Sequence, residues 1–88
     1  MAFDRQGWLV VTDFWNHRIL RFEPGSKKAT VIAGGKGQGG NLDQLNLPSA
    51  VAFDNQDNLI VADKLNNRVI LFEPGSKRGR VIKDSNGP

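Results

Sequence analysis

Val11-Thr12-Asp13-Phe14-Trp15-Asn16-His17-Arg18-Ile19 is answered, fifty residues on, by Val61-Ala62-Asp63-Lys64-Leu65-Asn66-Asn67-Arg68-Val69. Val, Asp, Asn and Arg hold their places in both stretches while the residues between them change. The echo continues outward on both sides. Ala2-Phe3-Asp4 returns as Ala52-Phe53-Asp54, Phe22-Glu23-Pro24-Gly25-Ser26-Lys27 as Phe72-Glu73-Pro74-Gly75-Ser76-Lys77, and Val31-Ile32 as Val81-Ile82. Aligned without a gap, positions 2–33 and 52–83 share 17 identities in 32. Identity that dense marks one structural unit used twice, so the unit decides the fold before any single residue does.

Each copy divides into four short apolar runs. They are Met1–Phe3, Trp8–Thr12, Arg18–Phe22 and Ala29–Ala33 in the first copy, and Ala50–Phe53, Leu59–Ala62, Arg68–Phe72 and Arg80–Ile82 in the second. Runs this short, rich in Val, Ile, Leu and Phe, have strand length and strand chemistry; a helix needs a longer periodic stretch. Turn formers separate them: Asp4-Arg5-Gln6-Gly7 and 54–58, then Asp13–His17 and Asp63–Asn67, then Glu23-Pro24-Gly25-Ser26 and Glu73-Pro74-Gly75-Ser76. Pro-Gly suits the two central positions of a type II turn, because proline fixes the first φ and glycine accepts a positive second one. Four such strands in hairpin sequence predict an antiparallel meander.

Leu9-Val10-Val11 and Val69-Ile70-Leu71-Phe72 are apolar at consecutive positions. A sheet with one wet face alternates instead, so these strands are expected to be covered on both faces. Four-stranded sheets stacked face to face about an axis make a β-propeller. The expected fold class is therefore all-β: two four-stranded antiparallel blades per chain, with the ring completed by other copies. Residues 1–40 form the first repeat with its glycine-rich linker, and 41–88 the second. In the join, Gly34-Gly35-Lys36-Gly37-Gln38-Gly39-Gly40 reads as a flexible linker. The Leu42, Leu45 and Leu47 that follow are placed to pin the chain onto apolar surface.

Composition narrows the chemistry. Eighty-eight residues make at most one small domain, with a thin core. Folds of this size are commonly reinforced by disulfides, metals or oligomerisation. With no cysteine and one histidine, His17, disulfides, thiolate metal sites and a poly-His zinc site within one chain are excluded, leaving oligomerisation. The net charge of +3 describes an ordinary surface. No apolar run is long enough for a membrane-spanning helix, and no signal-peptide pattern opens the chain, so no membrane partner is expected.

The Val-x-Asp-x-x-Asn-x-Arg pattern closing in an apolar strand that ends in Phe resembles the NHL repeat, a propeller-forming unit. Asn16-His17 keeps two of the three naming letters, and Val31-Ile32-Ala33-Gly34-Gly35…Gly39…Gln44-Leu45…Pro48 is similar to the long variety found in large multi-repeat members. The resemblance covers nearly the whole chain and implies fold far more than function. It includes RNA-binding and protein-binding modules and a metal-dependent lyase. Family rings use about six blades, within the usual propeller range, whereas this chain carries two. Identical chains are therefore expected to associate head to tail, as a homotrimer of six blades if the rotation closes and as a filament if it does not. Asn86-Gly87-Pro88 of one copy followed by Met1 of the next would give a shortened form of the Asn46-Leu47-Pro48 lead-in, as in an excised or engineered piece of a longer array.

Asp13, Asn16 and Arg18, with Asp63, Asn66 and Arg68, recur in both copies and are assigned to architecture. Asp and Asn cap turn amides, and a guanidinium fork fits a carboxylate. Phe14, Trp15 and His17 differ from their counterparts Lys64, Leu65 and Asn67, and aromatics in a turn are suited to stacking on a base or a partner side chain. They are the first candidates for binding, against the alternative that Trp15 packs on a neighbouring blade. Lys27, Lys28, Lys77 and Arg78 beside the Pro-Gly turns form a second candidate set, for phosphates, against the alternative of a solvated edge that discourages aggregation. The glycine-rich segment lacks the Gly-Lys-Ser/Thr ending and the following helix of a phosphate loop. Asp4, Asp54 and Asp57 lack the ligand density of a calcium loop. No catalytic residues, metal or cofactor are expected. The functional expectation is a non-catalytic self-assembling scaffold whose partner is itself. The alternative is a protein- or RNA-binding module using the Phe14/Trp15/His17 turn and the basic turns.

Overall fold

The computed structural model describes residues 2–84. Met1, Ser85 and the Asn86-Gly87-Pro88 junction lie outside the described residues. The chain is all-β, in two four-stranded antiparallel sheets. The first holds β1 (Ala2–Phe3), β2 (Leu9–Asp13), β3 (Arg18–Phe22) and β4 (Ala29–Gly34), in that order across the sheet. The second repeats it with β5 (Pro48–Phe53), β6 (Leu59–Asp63), β7 (Arg68–Phe72) and β8 (Arg80–Asp84). Every pairing joins neighbours in sequence, as the turn formers require.

The turns repeat as closely as the strands. Ser26 N–H donates to the Glu23 carbonyl at 3.0 Å and Ser76 N–H to the Glu73 carbonyl at 2.9 Å. Gly25 and Gly75 take φ of 77° and 79°, the positive angle a type II turn needs at its second central residue. In the β1–β2 and β5–β6 turns, Asp4 Oδ1 accepts the Trp8 amide and Asp54 Oδ1 the Asn58 amide, each at 2.9 Å. Asp13 and Asp63 behave differently from the turn-capping expectation. Neither caps the short 3₁₀ turn that follows it (Phe14–Asn16, Lys64–Asn66). Their carboxylates are taken by side chains instead, Asn16 and Arg18 in the first sheet and Asn66 and Arg68 in the second.

Both outer strand pairs carry a β-bulge at the same place. Ile19 pairs with Ala33 but Leu20 with Val31, leaving Ile32 extra; Val69 pairs with Lys83 but Ile70 with Val81, leaving Ile82 extra. The inserted residue reverses which face the outer strand shows, so Val31 shares a face with Leu20 and Ala33 shares the opposite face with Ile19.

Register sorts the side chains into faces. On the first sheet, Val10, Thr12, Ile19 and Ala33 share one face, and Phe3, Leu9, Val11, Leu20, Phe22 and Val31 share the other. On the second, Val51, Phe53, Leu59, Val61, Ile70 and Phe72 correspond to that second set, and Ala52, Ile60, Ala62, Val69 and Leu71 lie opposite. The core is the seam between the sheets. Val10, Ile19 and Ala33 of the first pack with Leu59, Val61, Ile70 and Phe72 of the second, and Leu45 of the connecting segment joins them, fully buried.

The connecting segment is not the loose tether its glycines suggest. Its main chain is bonded to both sheets: Gly35 N–H to the His17 carbonyl, Gly79 N–H to the Leu42 carbonyl and Leu65 N–H to the Asn46 carbonyl, at 2.8–3.1 Å. Glycine supplies close approach here. A Cβ on Gly34, whose φ is 70°, would lie 2.4 Å from the His17 carbonyl oxygen.

Candidate functional site

The hairpin topology puts the two sets of binding candidates at opposite ends of the sheets. β2 runs up to the Phe14–His17 turn and β3 runs back to the Pro-Gly turn. Five residues of strand separate them, about 17 Å. Phe14, Trp15 and His17 therefore do not meet Lys27, Lys28, Lys77 and Arg78 in a single site.

At the upper end, Trp15 is 79% exposed and meets the Phe14 ring edge to face, with centroids 5.1 Å apart. His17 is half-buried and turned inward. Its Nδ1 accepts the Leu47 amide at 3.0 Å, which ties the first turn to the entrance of β5. His17 takes a left-handed φ of 55° at the end of the 3₁₀ turn, and Asn67 takes 53° at the same place in the second copy. A residue whose backbone caps a turn and whose ring nitrogen holds a main-chain amide is committed to architecture. Of the three candidates, Trp15 is the one presented to solvent.

At the lower end, Lys27, Lys28, Lys77 and Arg78 are all exposed. Lys77 Nζ donates to the Val31 carbonyl of the first sheet at 2.6 Å, and Ser26 and Ser76 hydroxyls accept the Lys28 and Arg78 amides. A cavity of about 450 Å³ lies between the sheets at this end, lined by Val31, Ile32 and Phe53 with Asp4, Arg21 and Lys77 at its polar side. Arg21 lies over the Trp8 ring, 3.9 Å from its centroid, and its Nε donates to Asp4 Oδ2 at 2.6 Å. Burial pushes the Asp4 carboxyl up, but the Trp8 amide, Arg21 and the Gln6 amide outweigh it and hold it below the ordinary carboxylate range. Asp54 is lowered by the Asn58 side chain and amide. Asp57 accepts the Arg5 amide. Among the described residues, no three His, Cys, Asp or Glu side chains gather to hold a metal ion.

The repeated Asp-Asn-Arg sets form the richest polar constellations, and the two differ in what they hold. Asp63 is fully buried and the Arg68 side chain is 8% exposed, with Arg68 Nε 2.8 Å from Asp63 Oδ2. Around this pair the connecting segment folds. Asn46 N–H donates to Asp63 Oδ1 at 2.7 Å and Asn66 Nδ2 donates to the Gly39 carbonyl at 2.8 Å. Arg68 donates to the carbonyls of Gly40, Asn41 and Gln44, each at 3.0 Å. In the first copy the same ion pair forms, Arg18 Nε to Asp13 Oδ2 at 2.6 Å, with the side chains 36% and 24% exposed. Asn16 donates to both Asp13 oxygens. The Arg18 bond is the largest effect on the Asp13 carboxyl and lowers it; burial opposes this, and Asn16 adds a smaller lowering, so the net shift is downward.

A scan against protein-family models gives no match, and a search of curated proteins gives none either.

Proposed function

We propose that this chain is a non-catalytic, self-assembling scaffold: an NHL-type β-propeller module whose two sheets act as blades and associate head to tail with those of identical chains, three chains making a ring of six. One observation carries the reading. The buried seam between the sheets has a repeat-equivalent face left open on each side. The face of the second sheet that packs at the seam through Leu59, Val61, Ile70 and Phe72 corresponds to Leu9, Val11, Leu20 and Phe22 of the first, and all four are only half-buried. Phe3, the counterpart of Phe53, is 64% exposed. The face of the first sheet that packs through Val10, Ile19 and Ala33 corresponds to Ile60, Val69 and Lys83, of which Ile60 and Val69 are half-buried apolar residues and Lys83 is an exposed charge at the edge. Two apolar faces with the residue types of a formed interface favour docking on each other, by the same burial of apolar area. Native mass spectrometry of the chain at micromolar concentration is the test. The expected species holds three chains of 9.7 kDa each. A folded monomer as the sole species overturns the reading.

A second reading rests on Trp15. A tryptophan 79% exposed in an ordered turn, braced by Phe14, offers a ring face to a base or to a partner's side chain. The basic turns lie at the far end, so this contact would use the upper turn alone. Titration with mixed single-stranded RNA at two salt concentrations tests the RNA form; equal binding by the Trp15→Ala protein dismisses it.

A further inference from the structure

We propose that Asp13, Asn16 and Arg18 form a binding site for a main-chain loop, the glycine-rich loop of a neighbouring repeat unit of the kind formed by residues 39–46.

The second copy shows what this constellation does when filled. The Asp63, Asn66 and Arg68 side chains hold one amide and four carbonyls of that loop, and the Leu65 amide takes a fifth carbonyl, that of Asn46. The first copy has the same three side chains, the same internal ion pair and the same 3₁₀ turn. Among the described residues, none of the six loop bonds has a counterpart there. Among the described residues Arg18 is engaged through Nε alone, which leaves the two terminal nitrogens of its fork for carbonyl oxygens. Asn16 now spends its amide on Asp13 twice, a bond it can release to a carbonyl as Asn66 does. The Trp15 amide stands where the Leu65 amide donates.

The ligand chemistry follows from the donors. Arginine and asparagine amides recognise carbonyl oxygens without reading side chains. The recognised element is thus a backbone turn with several carbonyls on one side, and glycine lets it come close. One apolar residue is also required, because Leu45 of the filled loop is fully buried beside Gly34 and Ile19 at the seam. For the first copy, the matching surface is the open face bearing Val11 and Leu20. The site rests on the proposed assembly only in using that open side; because each chain's own loop is already held by Asp63, Asn66 and Arg68, the occupant is a second loop of the same kind, from a further repeat unit.

The test uses a synthetic peptide of residues 34–48 passed over the full chain tethered so sparsely that copies do not meet. Saturable binding is expected, weakened at least about tenfold by Arg18→Ala and by Arg18→Lys, which keeps the charge but loses the fork. Trp15→Ala keeps the backbone amide and should bind as the parent does. Circular dichroism of each variant checks that the sheets persist, and Arg18→Lys stands in if Arg18→Ala does not fold. Absence of saturable binding up to about millimolar peptide, the range of the weakest specific contacts, overturns the proposal. So does equal binding of a scrambled peptide, or equal binding by both Arg18 variants. A monomer by native mass spectrometry that still takes the peptide would sink the ring and leave this site standing; a trimer whose tethered chain ignores the peptide would do the reverse.

Discussion

Arg18 and Arg68 are the same residue in the same motif, yet they should respond differently to removal. Arg68 is almost wholly buried, pairs with a carboxylate that is fully buried, and gathers three carbonyls. Arg68→Ala strands that carboxylate and should cost about 3 kcal/mol or more. Arg18 is about a third exposed, and Arg18→Ala should cost about 1 kcal/mol or less. Urea denaturation of the two variants reads the difference. Acid acts through three aspartates of the turns. The Asp4, Asp13 and Asp54 carboxyls are all held below their ordinary value in the folded chain. The unfolded chain therefore takes up protons first as pH falls through about 4, and stability present at neutral pH is lost below that point. Thermal melts from pH 6 to pH 2 should show the decline setting in near pH 4, and Asp13→Asn should make it shallower.

At the scale of the element, the strands were legible in the sequence to within a residue or two. Proline, glycine and aspartate mark every hairpin, and a short Val/Ile/Leu run between such marks has few other uses. The bulges at Ile32 and Ile82 were not legible, because an extra residue in a ladder leaves the same apolar run on the page. Nor was the ordered path of the glycine-rich part, although Leu42 and Leu45 pin the segment to the core as their apolar side chains led one to expect. Seven residues that include five glycines read as slack until the partners of their carbonyls, Asn66 and Arg68, are known to lie 24–28 positions away. His17 misled for a related reason: nothing local shows that its ring nitrogen meets the Leu47 amide. The separation of aromatic and basic turns to opposite ends was available from hairpin alternation alone. Glycine substitutions test these elements. Gly34→Ala drives a Cβ into the His17 carbonyl and should cost well over 1 kcal/mol, whereas Gly25→Ala meets nothing within 4 Å and should cost only its strained φ, about 1 kcal/mol. Comparison of their melting temperatures decides it.

At the scale of the whole molecule, the two sheets provide an internal control for one another. Val61 is fully buried at the seam and Val11, its counterpart, is half-buried on the open face. Val61→Lys places a charge in the core and should unfold the chain. Val11→Lys should leave the isolated chain within about 1 kcal/mol of the parent, as surface changes usually do, and should abolish any association through that face. Analytical ultracentrifugation beside circular dichroism separates the two effects. Loss of strand signal with Val11→Lys, or undiminished association, would count against that face as the docking surface.

The strictly sequential strand order also governs how the chain reaches its native state. All hairpin contacts close over short stretches of chain, so each meander is expected to form before the two join. Because the halves are so alike, a half from another molecule competes for the same seam during refolding. The bound segment 35–47 keeps the correct partner at an effective concentration of about millimolar. Refolding should thus be clean in dilute solution and give way to exchanged dimers only as protein concentration approaches that of the tethered half.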